Sequence, residues 1–148
     1  MGKYKISSFK GQLGENRLSN ILNEMYSTAE VINTTGKTNS GDFIVRRINN
    51  PPFLVENKDY KEKVPTSEVE KFIKDIETQS INEKMHGIFL SQNSSICLKY
   101  NFEINIHNGS VLIYIHNCEY TPEKIRIAVE IIDRLSMLPE LNLSLIHI

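Results

Sequence analysis

The chain has 148 residues, 40% of them hydrophobic and 24% charged, with a formal net charge of −1. That length fits one domain with a core of its own, and the composition excludes a disordered, fibrous or low-complexity chain. Near-neutral charge gives no bulk attraction to nucleic acid, no run of about 18 apolar residues could span a membrane, and "MGKYKISSFKG" lacks the apolar centre of a secretory signal. The expectation is an intracellular protein, cytoplasmic or nuclear, with no membrane partner.

From Gly11 to Tyr26, Leu18, Ile21, Leu22 and Met25 recur at helical spacing and predict an amphipathic first helix. Glu15 falls on the side of Leu18 and Leu22, where an unpaired carboxylate would be costly; a place in the first turn, favoured by the helix dipole, accounts for it equally well. A strand around Ala29 to Thr34, a Gly/Asn/Ser loop and a strand from Asp42 to Ile48 follow. The "GKT" at Gly36 is not a phosphate loop, because Val31 stands where the motif's first glycine belongs. After the turn Asn49-Asn50-Pro51-Pro52, "FLVENK" makes a third strand from Phe53 to Lys58.

"VPTSEVEKFIKDIETQ" reads as a helix with Ser67 as N-cap, Glu70 completing a capping box, and Val69, Phe72, Ile73 and Ile76 as its buried stripe. His86, in a polar loop, reads as solvated, and the apolar "GIFL" after it suits a strand covered on both faces. Ser91-Gln92 ends that strand. "NFEINIHNGSVLIYIH" alternates about Asn108-Gly109, a hairpin signal that puts Phe102, Ile104, Ile106, Val111, Ile113 and Ile115 on one face. Thr121-Pro122 opens a last helix with Ile125, Val129, Ile132 and Leu135 inward. The apolar "LNLSLIHI" without a capping glycine is expected to be a truncated or non-native terminus. The whole reads as one α/β domain: helix, three strands, helix, strand, hairpin, helix.

Cys97 and Cys118 lack CxxC spacing and read as reduced structural thiols. His107 and His116 sit at opposite ends of the hairpin, about 20 Å apart, too far to share a metal.

The chemistry centres on Asp42, Glu56 and Lys58. Side chains alternate along a strand, so Glu56 and Lys58 share a face and Asn57 points to the other. If the second and third strands pair as a hairpin, Asp42 comes near Glu56. Two carboxylates held close repel unless a cation lies between them, and carboxylates, water and phosphate oxygens are the ligand set of Mg²⁺ or Mn²⁺. Such an ion would polarise a phosphodiester and activate water, with Lys58 adding positive charge for the transition state. Taken singly, Asp42 also reads as a turn residue after Gly41, and Glu56 with Lys58 as a strand-end ion pair.

"GENRL" in the first helix, "SGDF" at Asp42 and "FLVENK" at Glu56 and Lys58, in that order on those elements, resemble the PD-(D/E)xK nuclease superfamily over about Gly11 to Gln92. Ser40-Gly41 stands where the motif's proline would be. The resemblance implies the restriction-endonuclease-like fold, a central mixed β-sheet flanked by helices with an αβββαβ core plus the C-terminal hairpin and helix. It also implies a metal-dependent endonuclease acting on nucleic acid, with DNA the expected substrate and Asp42, Glu56 and Lys58 catalytic. Asp42 and Glu56 would bind Mg²⁺ or Mn²⁺, Glu15 would be an outer metal ligand, and Asn57 belongs to the same metal-side set. A homodimer is a further expectation, as many members are dimers. Lys58, Lys61 and Lys63, with Lys71 and Lys74 on the next helix, would meet phosphates, although Glu62, Glu68 and Glu70 interleave with them. The alternative is a non-catalytic nucleic-acid-binding or protein-interaction domain of the same fold.

Overall fold

The computed structural model describes residues 3–139 and 141, with side chains from Gly11 onward. Apart from Leu141, the terminus expected to be non-native lies outside the described residues, as do the side chains of Lys3, Lys5 and Lys10. The elements are α1 (Lys3–Met25), β1 (Glu30–Asn33), β2 (Phe43–Arg46), β3 (Phe53–Lys58), α2 (Thr66–Gln79), β4 (His86–Ser91), β5 (Phe102–His107), β6 (Ser110–Ile115) and α3 (Pro122–Ser136). This is the helix and strand order read from the sequence.

The strands form one six-stranded mixed sheet in the order β1-β2-β3-β4-β6-β5. β1, β2 and β3 are an antiparallel meander; β4 lies parallel to β3 and β6 parallel to β4, and β5 returns antiparallel at the edge. Alternation sends Phe43, Val45, Phe53 and Val55 to one side, where Leu18 and Leu22 of α1 and Ile125 and Ile132 of α3 complete a core. Ile44, Leu54 and Phe89 go to the other, against Phe72 and Ile76 of α2. A sheet covered on both faces explains why β4 is buried at every position.

α2 packs unusually close to the sheet. A side chain on Gly87 would run into Ile76 and Phe72, each 2.6 Å from the Cβ position. Phe72 in turn meets Phe89 and Tyr114 edge-on, with ring centroids 5.3 and 5.7 Å apart. Removing such a ring costs about 3–5 kcal/mol, so α2 is fixed firmly over β3 and β4.

Four details differ from the sequence reading. α1 begins at Lys3, not Gly11, running on through Gly11 and Gly14; a side chain at Gly14 would strike the Tyr120 hydroxyl. The N-cap of α2 is Pro65, with no side-chain cap bond, because pairing of Val64 with Ile96 fixes the backbone just ahead and starts the helix at once. His86 is 2% exposed, not solvated: its Nδ1 accepts the Val111 backbone N–H at 2.9 Å. Burial pushes its pKa down to about 4, which keeps the imidazole neutral. The hairpin register pairs Phe102, Ile104 and Ile106 with Ile115, Ile113 and Val111, yet the β5 members of that apolar face stay 38–45% exposed because β5 is an edge strand. Cys97 and Cys118 are free thiols.

Candidate active site

Antiparallel pairing of β2 with β3 sets Phe43 opposite Val55 and Ile44 opposite Leu54. One step further along that register, Asp42 stands opposite Glu56. The backbone locks this placement: the Asp42 N–H donates to the Val55 carbonyl at 3.0 Å, and the Asn57 N–H donates to Asp42 Oδ2 at 2.8 Å. Thr34 completes the hold. Its N–H donates to the Asp42 carbonyl at 2.8 Å, and its hydroxyl to the carbonyls of Ser40 at 2.8 Å and Gly41 at 3.0 Å. Gly41 has φ +65, and a Cβ there would meet Leu54 Cδ2 at 2.5 Å, so only glycine fits before Asp42.

Glu56 and Lys58 point to the α2 face. With Asp42, Lys71, Lys74 and Asp75 they line a cavity of about 380 Å³. Glu56 is 2% exposed, and burial first, then a hydrogen bond and like charge from Asp42, push its pKa up to about 9. Glu56 therefore holds its proton through neutral pH. Glu56 Oε1 is buried with no hydrogen-bond partner among the described residues. An orphaned buried carboxylate oxygen beside a second carboxylate fits a cation ligand, since a buried polar atom left unpaired costs about 1–3 kcal/mol. Oxygen donors of this kind suit Mg²⁺ or Mn²⁺, which take one or two carboxylates and complete their shell with water and phosphate oxygens. The residues present thus fit a divalent cation, although among the described residues no group of three or more His, Cys, Asp or Glu side chains converges to hold one.

Burial alone would lower the Lys58 pKa, but Glu56 and a hydrogen bond to Glu68 outweigh it and raise it. With Glu56 protonated, the effective counter-ion is Glu68, 3.1 Å from Lys58 Nζ. Lys71 and Lys74 make no ion pair with another described residue. Lys71 faces both Glu56 and Asp75 closely enough to oppose their protonation.

Glu15 and Asn57 lie on the other face of the sheet. They share a second cleft of about 440 Å³ with Asp42, which therefore borders both hollows. Glu15 Oε1 accepts a short hydrogen bond from Asn33 on β1. Asn57 Oδ1 accepts from Gln92 Nε2 at 2.7 Å, and Gln92 Oε1 takes the Tyr120 N–H at 2.6 Å. Tyr120 sits under the Arg17 guanidinium and donates its hydroxyl to Asp59 at 3.1 Å. Asp42, Glu56 and Lys58 are thus gathered in one hollow, while Glu15 and Asn57 approach Asp42 from behind.

Two participants escape the sequence reading. Asp75 is 2% exposed and faces the acid pair from α2; its only sequence signal is an acid three residues after Phe72, on the flank of the apolar stripe. Tyr120 reaches Asn57 from a loop whose Asn117, Glu119 and Tyr120 all have positive φ, which no composition rule announces. His107 pairs with Glu77 at 2.8 Å and His116 accepts the Ile96 N–H at 3.2 Å, both away from the site.

No protein-family model, curated protein or solved structure significantly matches the chain. No described helix is long and apolar enough to cross a membrane.

Proposed function

We propose that the protein is a divalent-metal-dependent nuclease with a restriction-endonuclease-like fold, hydrolysing phosphodiester bonds of nucleic acid, DNA in the first instance. The observation that carries this reading is the buried, unpartnered Oε1 of Glu56, held opposite Asp42 with Lys58 two residues on. The antiparallel β1-β2-β3 meander followed by α2 and a parallel β4 is the element order the PD-(D/E)xK resemblance implies, and it supports the same reading.

Asp42 and Glu56 would hold Mg²⁺ or Mn²⁺, with Glu15 an outer partner behind Asp42. When bound, the ion supplies a Lewis acid for the phosphoryl oxygen and lowers the pKa of water to near neutrality. Asp42 is preset for this by the Asn57 N–H, which fixes Oδ2 at 2.8 Å, while Oδ1 accepts only a long bond of 3.4 Å from the Thr35 hydroxyl. Glu56 would hold the ion as the carboxylate, its proton passing to solvent water. Lys58, in the same hollow as the two carboxylates, would offer a positive charge to the phosphate. Lys71 and Lys74, without ion partners among the described residues, suit the flanking phosphates, which would fix the substrate without reading its sequence.

The Lys58–Glu68 pair favours a second reading, in which the lysine is structural and the domain binds nucleic acid or protein without cutting. A cleavage assay separates the two: metal-dependent hydrolysis lost in Asp42→Ala and Lys58→Ala supports the nuclease, whereas nucleic-acid binding by a folded wild type that cleaves nothing supports the binding domain.

A further inference from the structure

The acid pair is not the only thing α2 brings to the hollow. Asp75 and Gln79 lie one turn apart on its inner flank, and both reach the segment that delivers Asp42. Gln79 Nε2 donates to the Asn39 carbonyl at 2.9 Å and to Ser40 Oγ at 3.3 Å. Asp75, 2% exposed, lines the same hollow as Gly41 and Asp42, with the Gly41 N–H as an electrostatic partner of its carboxylate. Asn39 adopts a positive φ of 57 degrees, a conformation that costs a non-glycine residue, and Gln79 of α2 supports it through its carbonyl. Backbone bonds from Thr34 and Val55 hold the Asp42 end; the two α2 side chains hold the approach to it.

We infer that Asp75 is a positioning residue for the cation site: by partnering the Gly41 N–H it sets the aim of the adjacent Asp42 carboxylate, and Gln79 reinforces it one turn on. The inference rests on the nuclease reading above, because the cation is what Asp42 is aimed at. Residues that orient a ligand typically change metal affinity by about 10–100-fold when removed. The requirement at position 75 is an acceptor for one N–H, which an asparagine oxygen supplies as well as a carboxylate does. A role through charge would instead be lost equally in asparagine and alanine.

The test measures Mn²⁺ affinity by titration calorimetry and the hydrogen-exchange rate of the Gly41 amide in wild type, Asp75→Asn, Asp75→Ala and Gln79→Ala. The expected result is at least about tenfold weaker Mn²⁺ binding and faster Gly41 exchange in Asp75→Ala, with Asp75→Asn within about threefold of wild type in both. Wild-type affinity in Asp75→Ala, or an equal loss in Asp75→Asn, overturns the positioning role while leaving the cation site standing. A wild type that binds no Mn²⁺ overturns the cation site and the positioning role together. If Asp75→Ala does not fold, Gln79→Ala and Asp75→Asn decide: weaker binding in the first with near-wild-type binding in the second supports the role, and any other pairing overturns it.

Discussion

Asp42 Oδ2 accepts the Asn57 backbone N–H at 2.8 Å, so the carboxylate ahead of β2 is tied to the strand that carries Glu56 and Lys58. The site's geometry is therefore a property of the hairpin and not of a mobile loop. Asp42→Asn can still accept that N–H through its amide oxygen, and Asp42→Ala cannot. Both variants are expected to lose roughly 100-fold or more in metal-dependent cleavage, as removal of a charged group at a reacting centre does. Urea unfolding should show Asp42→Ala to be the less stable of the two by about 1 kcal/mol, the worth of one hydrogen bond.

Glu56 links the site to stability through pH. Its pKa of about 9 in the fold exceeds the ordinary value of 4.5, so the folded chain binds that proton more tightly than the unfolded one. Without a cation, the Glu56 contribution is fully present below about pH 4.5 and is lost as pH rises toward 9, at up to about 1.4 kcal/mol per unit. Glu56→Gln keeps the shape and a donor toward Asp42 but has no proton to lose. In EDTA, between pH 6.5 and 8.5, the variant is expected to gain on wild type by a few kcal/mol, the titration of His86 being common to both proteins. Denaturant titrations at several pH values check this, and parallel stability curves would contradict it.

Much of this arrangement is legible in the sequence. Period-two runs mark "FLVENK" and the Asn108-Gly109 hairpin, and β3 spans Phe53–Lys58 as read. Alternation alone puts Glu56 and Lys58 on one face, and hairpin pairing brings Asp42 to them. Other features depend on contacts distant along the chain. Asp75 is a flank residue until α2 docks on β4 at Gly87, His86 is a loop residue until Val111 offers its N–H, and β5 looks as buried as β6 until the sheet order makes it an edge.

Gly14 tests the packing behind Asp42. A methyl group there would collide with the hydroxyl of Tyr120, itself held by Asp59 and Asn57. Gly14→Ala is expected to destabilise by about 1–3 kcal/mol despite the helix propensity of alanine, as overpacking does. In a Tyr120→Phe background, without the hydroxyl, the same change should cost at least about 1 kcal/mol less. Additive effects in this double-mutant cycle would show that the contact has no energetic weight.

Lys71 faces the hollow without an ion partner among the described residues, whereas Lys58 is held by Glu68. In EDTA, Lys71→Ala should weaken DNA binding uniformly across sequences and reduce the slope of log affinity against log salt by about 1. Fluorescence anisotropy at several salt concentrations measures this. An unchanged slope would remove Lys71 from the phosphate contacts.

The central claim is tested most directly by incubating plasmid, linear, single-stranded and branched DNA and RNA with the protein in Mg²⁺, Mn²⁺ or EDTA, with Asp42→Ala and Lys58→Ala in parallel. Cleavage of at least one substrate with Mg²⁺ or Mn²⁺, absent in EDTA and in both variants, is the expected result. A folded wild type that leaves every substrate intact in all three conditions would contradict it.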